Sequence, residues 1–280
     1  MGAGFTDTYY YSGAELCKTD TGSERDEIIR SVYEVFKIVA GIPLFFEDHY
    51  HRMVRSMRLS GFKATAEPAD IYRSRIKTLC EINQKFFGNM ELRISCPGDK
   101  SISQLGFIAH QYPEPLEYIH GVATATLKSE RTNPNAKVKH TETRKQANAF
   151  LAVHRVFEVL LVNSDNKITE GSRSNVFFIR NNQVITAPAS LVLLGITRKY
   201  VIEVLNRLNV PLIEKAPAVD ELSTFDAAFI CGTSPGVLPL KQVDGIVLNT
   251  SNAVLRQVIK TFNDLVQDYL SAYNSFNIPH

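Results

Sequence analysis

The chain has 280 residues, 44% of them hydrophobic and 21% charged, with a formal net charge of +2 at neutral pH. That is enough apolar material for one large core or two modest ones, and so even a charge balance gives no reason to expect nucleic acid or an acidic membrane surface as a partner. No apolar run approaches the ~18 residues of a spanning helix, and Cys17, Cys80, Cys96 and Cys231 are scattered without a CxxC pair, so a soluble cytoplasmic protein with reduced thiols and no structural zinc is expected.

Residues 31–39, SVYEVFKIV, are β-rich, and Ile42-Pro43 then turns the chain towards Leu44-Phe45-Phe46. A helix is predicted over 47–59, where Tyr50, Met53, Val54 and Met57 share a face and Gly61 supplies a stop. A second helix is read over 71–86, followed by a strand pair at 90–96 and 105–110 around the turn Pro97-Gly98-Asp99-Lys100. Two prolines in Tyr112-Pro113-Glu114-Pro115 prevent regular structure and mark a linker. Beyond it come a strand at 121–127, a loop of turn residues at 131–136 and a helix from about 143. Strands follow at 159–162, 176–179 and 184–186, then a helix over 197–208 and a short buried strand over 225–230. Val254, Val258, Phe262, Leu265 and Tyr269 recur at helical spacing within a long amphipathic helix, 251–273. This order gives an α+β first domain, 1–115, and an α/β second domain, 116–280.

The segments richest in chemistry are ITEGSRSNVFFI (168–179) and LLGITRKYVIEVL (193–205). Glu170 follows an apolar strand and a polar turn, and Gly171 with Ser172-Arg173-Ser174-Asn175 can bring backbone close to a ligand. Gly195-Ile196-Thr197 stands where a helix begins, so its N–H groups are placed to bind an anion. Thr197 also reads as a plain N-cap, and the two roles are compatible. A ligand with a phosphate at one end and a basic ring nitrogen at the other fits such a pair of features, and pyridoxal 5'-phosphate has that shape. The histidines show no metal-binding spacing, since His49 and His51 lie on different helix faces, and no G-x-S-x-G elbow of a hydrolase occurs.

EGSRSNVF, with TAP (186–188) and LLGITR (193–198), resembles the signature of the class IV, fold-type IV pyridoxal-phosphate enzymes. That family includes branched-chain aminotransferases, D-amino acid aminotransferases and aminodeoxychorismate lyases. VYEVFKI (32–38) with EDHYHRM (47–53) is similar to the family's first-domain strand and H-x-x-R helix, and FICGTSPGVLPLKQVDG (229–245) to its late strand and phosphate loop. The resemblance implies a two-domain, D-amino acid aminotransferase-like fold combining α+β and α/β parts, pyridoxal 5'-phosphate as cofactor and a homodimer. It implies transamination between an amino acid and a 2-oxo acid, of branched-chain or D-amino acid type. A lyase-type elimination and a non-catalytic binder of the cofactor are the alternatives.

Carried over by residue, the resemblance pairs Glu170 with the ring nitrogen and brings Arg52 to the phosphate. Backbone of Ile196 and Thr197, the Thr197 hydroxyl, Thr233 and Ser234 complete the phosphate cup. Of the lysines before Glu170, Lys137 has the best spacing, 21 residues before Glu158, and follows Pro134-Asn135-Ala136; Lys139 and Lys145 are the alternatives for the lysine that bonds the cofactor. Tyr33 resembles a tyrosine facing the substrate or the lysine, and Arg93 an arginine serving substrate side chains. The arginine and histidine that trap the α-carboxylate in the D-amino acid branch are absent from 96–99, leaving Arg131, Arg173 or the backbone of 233–236 as substitutes.

Overall fold

The computed structural model describes residues 4–19, 31–63, 65–96, 101–131, 134–139 and 142–276. The chain forms two compact units: Met1–Gln111 with Ala136–Lys139 and Val266–His280, and Tyr112–Asn135 with His140–Leu265. Where the sequence divides the chain into two continuous stretches, two later segments thus pack with the first.

The first unit holds strands β1 (Tyr9–Ser12), β2 (Glu15–Lys18), β3 (Ser31–Val39), β4 (Ile42–Pro43), β5 (Phe87–Ser95) and β6 (Ile102–Ile108), in the order β2-β1-β6-β5-β3-β4. Helices α1 (Phe46–Leu59) and α2 (Ala69–Ile82) supply the rest of its core. Alternation sets the register: Val32, Glu34, Phe36 and Ile38 of β3 are buried, while Tyr33, Val35 and Lys37 between them are half-buried. Met53 and Met57 of α1 reach the core as predicted, but Val54 is 41% exposed, because Ser56 and Arg52 fill the buried stripe instead. The predicted helix 71–86 ends early: Gln84 adopts φ +50°, which no continuing helix tolerates, and β5 has begun by Phe87. The turn expected at 97–100 lies outside the described residues.

The second unit holds α3 (Glu117–His120), β7 (Val122–Lys128), α4 (Glu142–His154), β8 (Glu158–Val162), β9 (Ile168–Gly171), β10 (Asn175–Arg180), β11 (Gln183–Thr186), α5 (Ile196–Arg207), β12 (Leu212–Glu214), β13 (Ala227–Gly232), β14 (Gly236–Val243) and β15 (Ile246–Val247). Its sheet runs β12-β11-β10-β13-β14-β7-β8-β9, with β15 on β14. Helix α6 (Ala253–Phe276) carries Val254, Val258, Phe262 and Leu265 as buried residues at the predicted spacing. Strands β8, β10 and β13 are buried on both faces, which explains their unbroken apolar runs. Phe177 and Phe229 are direct partners across β10 and β13, with rings parallel and 5.0 Å apart. Truncating Phe177 to Ala is expected to cost about 3–5 kcal/mol through the cavity it leaves, measured as a drop in the denaturant midpoint at constant slope.

Candidate active site

In the first unit one carboxylate gathers three polar side chains. Glu34, 1% exposed, faces α1 because strand alternation turns residue 34 to the helix side. Its Oε1 accepts from Arg52 Nε at 2.8 Å, and its Oε2 accepts from Arg52 Nη2 at 2.6 Å and pairs with His49 Nδ1 at 2.7 Å. Lys137 Nζ lies 3.6 Å from the same Oε2 and 5.1 Å from the centre of the Tyr33 ring. Burial alone would raise the Glu34 pKa, but the charges of Arg52 and Lys137 and the bonds from Arg52 and His49 outweigh it and hold the carboxyl well below the usual range. Burial pushes His49 the other way, down to about 4 against the pull of Glu34, so the ring is neutral at pH 7 and its Nδ1 carries the hydrogen donated to Glu34.

Lys137 is placed by backbone pairing. Val138 bridges Val32 in antiparallel fashion, the Tyr33 N–H donates to the Lys137 carbonyl, and the Lys139 N–H donates to that of Ser31. Lys137 therefore stands opposite Tyr33, and Lys139 opposite Ser31. Lys139 Nζ is bound to Glu91 Oε1 at 2.7 Å, and Arg93 reaches the same oxygen at 2.7 Å. Lys145, on α4, is 67% exposed and 3.9 Å from Glu142. The structure thus separates the three lysines: one beside Glu34 and Tyr33, one on Glu91, one at the surface.

In the second unit Glu170 is 2% exposed near the end of β9. Its Oε2 accepts the Leu193 N–H at 3.1 Å, and its Oε1 lies 2.8 Å from Arg131 Nε. That Nε is not aligned for a hydrogen bond, so the attraction is ionic. Desolvation dominates: it raises the Glu170 pKa to about 7, against the lowering influence of Arg131 and the Leu193 N–H and with a further push from Glu158. Leu193 also opens the turn that leads into α5, whose N-terminal residues Ile196 and Thr197 are buried and whose first turn has no side-chain cap. Asn175 secures that turn by donating from Nδ2 to the Leu193 carbonyl. A Cβ on Gly195 would meet Asn175 Oδ1 at 2.2 Å, so only glycine fits there. Thr233 and Ser234 occupy the turn joining β13 to β14, beside β10 in the same sheet.

Two of the substitute carboxylate traps are already engaged. Arg131 pairs with Glu170 and donates to the Ser172 carbonyl, and Arg173 donates to Asn148 Oδ1 at 2.6 Å. Glu34 carries the geometry of the first cluster without having been singled out in the sequence, and His49 entered there as part of the H-x-x-R resemblance. The available signal was an acidic residue on the apolar phase of an alternating strand, opposite a helix with His and Arg three residues apart.

A family model described as amino-transferase class IV matches residues 31–243. The chain is 28% identical over 249 residues to the D-alanine aminotransferase of Bacillus licheniformis, covering 82% of this chain and 84% of that protein. It spans 42% and 46% of two branched-chain-amino-acid aminotransferase-like proteins of Arabidopsis thaliana. A T.th. branched-chain amino acid aminotransferase, solved with pyridoxamine 5'-phosphate, shares the fold at a TM-score of 0.82 and 17% identity, with 95% of this chain and 96% of that one covered. A putative 4-amino-4-deoxychorismate lyase of Legionella pneumophila shares it at 0.76 and 20% identity, with 88% and 96% covered. The chain belongs to the class IV aminotransferase family. It is an enzyme of that class, with the fold-type IV architecture.

Because its folded pKa is raised above the ordinary 4.5, Glu170 contributes stability that is fully present below pH 4.5 and lost as the pH climbs through about 7. In the cofactor-free protein this loss is on the order of 3 kcal/mol, and Glu170→Gln is expected to flatten it. Denaturant unfolding across pH 4.5 to 8 measures it; an equally steep decline in the variant would show that this carboxyl is not its source.

Proposed function

We propose that the protein moves an amino group between an amino acid, of branched-chain or D-amino acid type, and a 2-oxo acid, with pyridoxal 5'-phosphate as cofactor. The observation that carries this reading is the buried Glu170 carboxyl, with a pKa near 7, two residues from Ser172 and hydrogen-bonded to the turn that opens an uncapped helix. A protonated ring nitrogen is the partner such a carboxylate lacks, and an uncapped helix N-terminus is suited to a phosphate. The donor set therefore fits the cofactor.

When bound, pyridoxal phosphate supplies an aldehyde that takes up amines and a ring that accepts electron density. Lys137 is the residue we assign to bond it and afterwards to carry the substrate's α-proton on Nζ. Glu34 is held ionised beside that amine and clamps Arg52, which would donate to the phosphate. Ile196, Thr197, Thr233 and Ser234 would supply the remaining phosphate donors, and Glu170 would accept from the ring nitrogen. Tyr33 lies against the lysine and is assigned to the substrate side. Arg93 would reach substrate only while shared with Glu91. Four free cysteines fit a reducing cytoplasm, and the family likeness supports a homodimer.

Borohydride reduction of the cofactor-loaded protein, followed by peptide mapping, should place the cofactor mass on Lys137; its appearance on Lys139 or Lys145 would overturn the assignment. Lys137→Ala should lower kcat by about 10³-fold. With an amino donor the absorbance should move to that of pyridoxamine phosphate. Release of pyruvate from aminodeoxychorismate without that change would favour the lyase.

A further inference from the structure

One buried carboxylate of the second unit has no part in the roles above. Glu158, at the start of β8 and 3% exposed, directs nearly all its bonding to one loop. Its Oε1 accepts from the Ser172 hydroxyl at 2.7 Å and from the Val159 N–H at 2.9 Å. Its Oε2 accepts from the Arg173 N–H at 3.1 Å and the Ser174 hydroxyl at 3.0 Å. Three consecutive residues immediately after Glu170-Gly171 thus point their donors at one side chain.

The same loop is closed by backbone. Gly171 N–H donates to the Ser174 carbonyl at 2.8 Å, and Ser172 N–H to that of Val159 at 2.9 Å. Gly171 has no room for a side chain, since a Cβ would stand 2.1 Å from Ser174 Oγ and 3.2 Å from Glu158 Cδ. From the other side the Ser172 carbonyl accepts from Arg131 at 3.1 Å and Arg144 at 2.9 Å, and Arg131 pairs with Glu170. An unbroken series of contacts therefore runs from Glu158 through Ser172 and Arg131 to Glu170.

We propose that Glu158 is a positioning residue: its carboxylate gathers residues 172–174 and thereby fixes the Glu170 carboxylate where it meets the ring nitrogen of the cofactor. This rests on the pyridoxal-phosphate reading of Glu170. Only an acceptor-only group satisfies these donors together, because a glutamine amide would turn its own N–H₂ against some of them. A second carboxylate so near Glu170 is electrostatically unfavourable, and its charge adds to the proton affinity of Glu170. A brace needed for stability alone gains nothing from that repulsion, whereas a carboxylate that shares a proton with a ring nitrogen does.

The test uses the full chain with Glu158→Gln and Ser174→Ala, each with and without pyridoxal phosphate. Circular dichroism and thermal melts establish folding, and ¹³C NMR of labelled glutamate follows the Glu170 carboxyl in cofactor-free protein, with Glu170→Gln to assign its signal. Glu158→Gln should lower the Glu170 titration midpoint and raise the Kd for pyridoxal phosphate about 10-fold. Ser174→Ala, which removes one bond and no charge, should raise the Kd less and leave the midpoint in place. A folded Glu158→Gln protein with native midpoint and native Kd overturns the proposal. If that variant does not fold, Ser172→Ala/Ser174→Ala takes its place, and an unchanged Kd there overturns it equally. Should the native protein not bind pyridoxal phosphate, the cofactor reading fails, while the Glu170 midpoint still reports whether Glu158 acts on Glu170.

Discussion

A carboxylate taken out of water costs several kcal/mol unless donors or cations replace the lost hydration. Glu34, Glu158 and Glu170 are all buried and answer that cost to different degrees. Glu34 is met by an arginine fork, a neutral imidazole and an ammonium. Glu158 is met by uncharged hydroxyls and backbone N–H groups. Glu170 has one N–H and one poorly aligned guanidinium.

These differences sort the three by what each can still do. Glu34 is so well compensated that its charge is permanent, which suits a clamp that must hold Arg52 and face Lys137 at any working pH. Neutral His49 completes it without adding a charge that would compete with the lysine. Glu170 is the reverse case: burial wins over its few partners, leaving a proton affinity near neutrality. A protonated heterocycle would supply the missing donor. Incomplete satisfaction of one buried group inside an otherwise satisfied set is what a binding site for a cation looks like before the cation is considered.

Elements whose signal is local were legible in the sequence. The alternation of β3, the buried stripe of α6 and the glycine before α5 each depend on neighbours within a turn or a pleat, and each forms where the spacing places it. The β1–β2 hairpin was not legible, because its two four-residue strands carry little periodicity and are held by pairing with β6, far along the chain. The early end of α2 was hidden by the apolar residue Phe86, which continues a helical pattern but lies past the helix, just before the strand that begins at Phe87. The class IV likeness was carried by short motifs with fixed spacing. Glu158 served in the sequence only as a landmark for counting, since the donors it collects sit 14 to 16 residues later and only the β8–β9 pairing brings them back.

The same distinction between spacing and pairing governs the lysines. Lys137, Lys139 and Lys145 fall within nine residues, and helix-length arguments alone rank them weakly. Antiparallel pairing of 137–139 with the start of β3 separates the first two, because it sets each ammonium against a different strand partner: Lys137 against Tyr33 and Glu34, Lys139 against Glu91 on β5. Glu91 then holds Arg93 as well, so two cations share one carboxylate oxygen and the trio retains a net positive charge. An arginine in that setting differs from an open guanidinium fork: its Nε and one terminal nitrogen are committed to Glu91, and a bidentate grip on a second carboxylate would have to displace one of them. Any recognition by Arg93 would therefore be coupled to Glu91 and Lys139, a three-residue constraint that the single residue Arg93, read by resemblance, does not reveal.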